Sequence, residues 1–141
     1  MRIESSDFKD NGFLPKKFTC DGENVPPHLK WKDFPEKTKS FALTIRDPDA
    51  PSGDFKHWLV FDIPKDVHEI KNSLPENARE IENDSGERSY MGPCPPSGVH
   101  KYIFSIFALD VENLAAGRDD FFGKLEKHKI DSAKIVGLYE R

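Results

Sequence analysis

The sequence predicts a mainly β fold of two stacked sheets with one short helix towards the C-terminus. Three runs carry the β reading: FALTIR at 41–46, HWLVFDI at 57–63 and HKYIFSIFAL at 100–109. Each is rich in β-branched and aromatic residues, which suit a pleated, half-buried surface. The last two are apolar on both faces and so require cover on both sides, which stacked sheets supply.

In chain order, the 41–46 run ends at Asp47-Pro48. A residue before proline is pushed into extended geometry, and proline has no amide hydrogen with which to continue a ladder. The 57–63 run stays apolar until Asp62 and stops at Pro64. Residues 65–90 are polar and read as a long excursion over the surface, with a short strand near AREIEN at 78–83. In the 100–109 run, period-two alternation puts His100, Tyr102, Phe104, Ile106 and Ala108 on one face. A helix is expected only at 119–129, DDFFGKLEKHK, where acids open and bases close the segment in accord with the helix dipole. Gly123 weakens that helix, and AKIVGLYER at 133–141 reads as a last short strand.

A chain of 141 residues fits one domain, 1–141, and 36% hydrophobic content with 11 Phe implies a modest, aromatic-rich core. The net charge of -4, without a stripe of Lys and Arg, argues against a nucleic-acid partner and against attraction to an anionic membrane surface. The opening MRIESSDFKD lacks the apolar run of a secretory signal, and no run is long enough for stable membrane insertion, so a cytoplasmic location is expected. Cys20 and Cys94 have neither CxxC nor metal-ligand spacing. Two reduced thiols are the expected state, with a mutual disulfide as the alternative. The chain has no Gln and is rich in Lys and Glu, a bias of hot environments, where intracellular disulfides do occur.

The chemistry points to two histidines that begin strands. His57 follows DPDAPSGDFK and His100 follows GPCPPSGV, both loops stiffened by proline and glycine. The two rings share one end of the fold only if their strands run in the same direction, because antiparallel neighbours would put them at opposite ends. In a mostly antiparallel protein this demands an intervening strand or separate sheets. Given that, Asp47 at its strand end is placed to accept a hydrogen bond from an imidazole and set its tautomer. Asp49 is expected to be structural, bonding its own loop backbone. Tyr102 lies about 7 Å along the strand from His100 on the same face. The Gly92-Pro93 bend leaves the backbone open to close approach. Histidines, a tyrosine hydroxyl and bare amides donate hydrogen bonds and so favour a small anion.

FTCDGENVPPHLKW, DPDAPSGDFKHWLVFDIP, GPCPPSGVHKY and the closing IVGLYER resemble the phosphatidylethanolamine-binding protein family in its short bacterial and archaeal branch. The resemblance runs from about Phe18 to the C-terminus. It implies two antiparallel β-sheets packed as a Greek-key sandwich, with a pocket at one end for phosphoryl groups or other small anions. Residue by residue, that pocket falls on Asp47, Pro51, Phe55, His57, Gly92, Pro93, His100 and Tyr102. The chain departs from the family pattern at Arg46, Lys101 and Phe55, and its 65–90 excursion is short.

The leading expectation is a non-catalytic binding protein whose pocket holds phosphate, a phospholipid head group or a nucleotide, with modulation of a partner such as a kinase. The resemblance also admits serine protease inhibition. A hydrolase using Asp47 and His57 is the third reading, but Ser97 lacks the G-x-S-x-G elbow and Ser52 has no evident oxyanion partner. No cofactor is expected, and no metal site, since Cys94 lies between two prolines. His28, His68 and His128 fall in polar segments and are assigned no role.

Overall fold

The computed structural model describes residues 1–141. Nine strands and one α-helix follow the order β1 (Arg2–Glu4), β2 (Gly12–Phe13), β3 (Leu29–Lys32), β4 (Ser40–Asp47), β5 (Phe55–Pro64), β6 (Glu69–Ile70), β7 (Arg79–Ile81), β8 (Val99–Leu109), α1 (Phe121–His128) and β9 (Lys129–Glu140). They form a six-stranded sheet in the order β2-β9-β8-β4-β5-β7 and a three-stranded sheet in the order β1-β3-β6. All pairings are antiparallel except β2 with β9, which is parallel.

The arrangement of β8-β4-β5-β7 is a Greek key: three successive strands of the large sheet lie side by side, and the fourth returns by a long connection to pair with the first. That return is what matters for function. Both β5 and β8 are antiparallel to β4 and flank it, so they point the same way and begin at the end where β4 finishes. The geometric demand made by His57 and His100 is met with β4 as the intervening strand.

Apolar side chains fill both faces of the large sheet. On one face Ile45, Trp58, Tyr102, Phe104 and Ile106 pack against Leu29, Trp31 and Ile70 of the small sheet. On the other, Ala42, Leu59, Phe61 and Leu109 pack beneath Leu114 and the α1 residues Phe121 and Leu125. Two-sided burial accounts for the unbroken apolar character of β5 and β8.

The helix occupies Phe121–His128 within the expected 119–129 segment, and Asp120 accepts from the Gly117 amide rather than capping the helix with its side chain. The last strand is longer than AKIVGLYER and starts directly after α1 at Lys129. Three of its first four residues, Lys129, Asp131 and Ser132, are polar, and only their register with Leu109, Ala108 and Phe107 makes them strand. The 65–90 stretch is less wet than its composition implies. Ile81 and Asn83 are buried; the Asn83 amide group organises its own loop by accepting from Ser85 and Glu87 and donating to Ser89.

Cys20 and Cys94 form a disulfide rather than two free thiols. The Cys20 amide donates to the Pro93 carbonyl at 3.1 Å, which lays the two loops side by side. That contact is tertiary and crosses 74 residues, so spacing alone carries no sign of it.

Candidate functional site

A cavity of about 290 Å³ opens at the shared end of β4, β5 and β8. The 47–55 loop makes one wall. Asp47 Oδ1 accepts from the Asp49 amide at 2.8 Å, and Gly53, at φ 99°, donates to Ala50 O to close the turn. Asp49 reaches across instead of bonding its own loop: its Oδ2 accepts from the Lys101 amide at 3.0 Å, fastening the loop to the start of β8.

His57 faces the cavity because β5 carries a bulge. Ile45 pairs with Trp58 and Arg46 with Lys56, leaving His57 as the extra residue between them. In a strictly alternating strand His57 and Trp58 would point to opposite faces. The bulge breaks the alternation, so Trp58 enters the core while His57 lines the cavity, a common way of re-aiming a side chain beside a site.

Each imidazole is fixed by an acceptor. His100 Nδ1 lies 2.7 Å from Asp47 Oδ2 and His57 Nδ1 lies 2.7 Å from the Met91 carbonyl oxygen. A carbonyl cannot donate, and neither can an ionised carboxylate, so both rings carry their hydrogen on Nδ1 and leave Nε2 without a protein partner. Burial pushes the His57 imidazole below its ordinary 6.5, against the weaker opposing pull of the Met91 carbonyl and the Asp47 charge. His57 is therefore neutral at pH 7 and presents Nε2 as an acceptor.

Tyr102 is fully buried beneath both rings, 5.3 Å from His57 and 6.4 Å from His100 between centroids. Its hydroxyl lies near the Cys94 backbone yet has no hydrogen bond of ordinary geometry. Burial, followed by the charges of Asp47 and Asp49, pushes the phenol well above its usual 10.0, so it stays protonated. An unpaired buried hydroxyl costs about 1–3 kcal/mol, a penalty that a ligand acceptor would remove.

Of the residues singled out by sequence, Asp47, Pro51, Phe55, His57, His100 and Tyr102 line one cavity. Gly92 and Pro93 do not. Gly92 is needed for a different close approach: a Cβ there would collide with the Phe18 carbonyl oxygen, and its amide donates to Asn24 Oδ1 at 2.8 Å. Asp47 pairs with His100 and not with His57, so the Asp47 and His57 base considered for a hydrolase is not formed. Sequence reasoning missed Ala50, Met91, Cys94, Pro95 and Pro96 as lining residues. PCPP was the available signal, since prolines without amide hydrogens make a stiff apolar wall. Ser52 also lines the cavity, and no Lys or Arg does. Among the remaining histidines, His28 bonds Glu69 and His128 bonds Asp110 at the surface, while His68 packs against Phe34.

A family model described as phosphatidylethanolamine-binding protein matches residues 4–140. The chain is 43% identical to a UPF0098 protein of Methanothermobacter thermautotrophicus, covering 100% of this chain and 99% of that one. It is 34% identical to the UPF0098 protein YbhB of Escherichia coli, with 99% of each chain covered. Among solved structures, E. coli YbcL superposes with a TM-score of 0.91 at 32% identity, covering 99% of this chain and 98% of that chain. CT736 of Chlamydia trachomatis superposes with a TM-score of 0.92 at 30% identity, covering 99% and 97%.

Proposed function

Because the chain belongs to the phosphatidylethanolamine-binding protein family, we propose that its end cavity binds a small phosphate-type anion carrying one proton, without chemical turnover. The observation that supports this most is the buried, unpaired Tyr102 hydroxyl beneath two imidazoles whose Nε2 atoms are free. Tyr102 donates to a phosphoryl oxygen, and neutral His57 accepts from a phosphoryl hydroxyl. With no Lys or Arg in the lining, a dianion finds no full positive charge to balance it. The volume of about 290 Å³ lies at the small end for ligand cavities and suits a phosphate or a phosphomonoester head group better than a whole nucleotide. Pro51, Phe55, Met91, Pro95 and Pro96 form an apolar collar against which the organic part of such an ester rests.

The test is calorimetric titration of a phosphomonoester between pH 5 and pH 8. The complex holds one more proton than the free dianion and neutral protein, whether that proton sits on the ligand or on His57. Affinity should therefore fall as pH rises through the phosphomonoester second pKa of about 6, approaching tenfold per pH unit well above it. Affinity that is flat, or that rises with pH, contradicts the proposal.

A further inference from the structure

The cavity wall contains one covalent element that ligand binding does not use. We infer that the disulfide between Cys20 and Cys94 is a thiol-exchange modification site, attacked at Cys20, whose opening loosens the wall that Cys94 carries. The effect on ligand binding rests on the proposed function above; the exchange site does not.

Direction of attack follows from exposure and charge. Cys20 is exposed, whereas Cys94 is half-buried and turned to the cavity. The Arg141 guanidinium approaches Cys94 Sγ at 3.4 Å, held there by its second nitrogen on Asp21 at 3.2 Å. Tyr139 donates to the other oxygen of Asp21 and steadies it. No cation is hydrogen-bonded to Cys20 Sγ. A cation at one sulfur stabilises its thiolate, and the better thiolate leaves faster. An incoming thiolate thus forms a bond to Cys20 Sγ, the bond between the two cysteine sulfurs breaks, and its electron pair goes to Cys94. With a dithiol, the second thiol then displaces Cys20 and closes its own disulfide, so the dithiol is oxidised and the protein reduced by two electrons.

Consequence follows from how little else holds the wall. Pro95 and Pro96 have no amide hydrogen, and no backbone hydrogen bond ties down Cys94 to Ser97. The stretch is held by the disulfide, by the Cys20 amide on Pro93, and by the reciprocal pair between Gly98 and Arg141. Opening the disulfide removes the one covalent cross-link on Cys94 and leaves its sulfur held only by the Arg141 guanidinium.

The experiment incubates the oxidised full chain with glutathione, quenches with acid and maps the adduct by peptide mass, beside the Arg141→Leu variant. Hydrogen exchange is followed at the amides of Cys20, Gly92 and Gly98, all hydrogen-bonded in the disulfide form, with inorganic phosphate titrated in parallel. Glutathione should sit on Cys20, and the variant should react more slowly. After full reduction the three amides should exchange about tenfold faster or more while β8 keeps its protection, and phosphate affinity should fall severalfold. An adduct on Cys94, equal rates in the variant, or unchanged exchange at the three amides overturns the inference. If the oxidised protein binds no phosphate, the pocket reading fails, and adduct position and amide exchange alone decide this one.

Discussion

Three side chains at the cavity do opposite things for stability and for binding. The Tyr102 hydroxyl has no partner, so Tyr102→Phe should leave stability unchanged or slightly raised in urea unfolding. The same change should weaken phosphate binding by about tenfold or more, the range for a hydrogen bond to a charged group. Asp47 is the reverse case, because removing it strands the buried His100 ring and the Asp49 amide. Asp47→Ala should destabilise by about 3 kcal/mol, as broken buried pairs do. His57 sets a pH dependence. Its folded pKa is lowered, so below 6.5 the unfolded chain binds the proton first. The stability contributed by keeping this ring neutral is complete above that pH and is lost as pH falls towards the folded pKa. His57→Phe should flatten this slope in unfolding curves taken between pH 7 and pH 5; an unchanged slope would remove His57 from the account.

At the scale of elements, the site depends on a bulge and on two loops packed edge to edge. Gly92→Ala would press a methyl against the Phe18 carbonyl and Asn24, both fixed by neighbouring bonds. It should cost about 1–3 kcal/mol, the range for overpacking, measured by thermal unfolding. β4, β5 and β8 were legible in sequence because two-sided burial leaves long apolar runs ending at proline or beginning at histidine. The first residues of β9 were not, since Lys129 and Ser132 are polar and become strand only through pairing with β8. His57 was legible as a strand-starting histidine. The bulge that aims it was not, because an extra residue shows only when two strands are set in register. Gly92 was read as room for a ligand, and its room is taken by the 18–24 backbone and Asn24.

For the whole molecule, the Greek key turns three distant segments into one site: its return strand sets β8 beside β4, on the far side from β5. The disulfide between Cys20 and Cys94 closes a loop across 74 residues. In the chain-entropy account a loop of this size stabilises by about 4.5 kcal/mol, so Cys20→Ala with Cys94→Ala should lower the urea midpoint strongly while leaving the β spectrum intact. In the sequence this pairing stood only as the alternative to two reduced thiols, because nothing between the two cysteines signals that their loops meet. No helix is long and apolar enough to cross a membrane. A separate cleft lined by Lys39, Lys65 and Arg79, together with Asp62, Asp66 and Glu112, offers a rival home for an anion, and its cations make it the natural control.

The most direct measurement is nitrogen NMR of the imidazole rings during titration with inorganic phosphate. The account expects the Nε2 signals of His57 and His100 to shift together and saturably, with both Nδ1 atoms still protonated, and the His57 response to be weaker in Tyr102→Phe. Rings that stay silent while resonances around Lys39 and Lys65 move would place the anion elsewhere and contradict it.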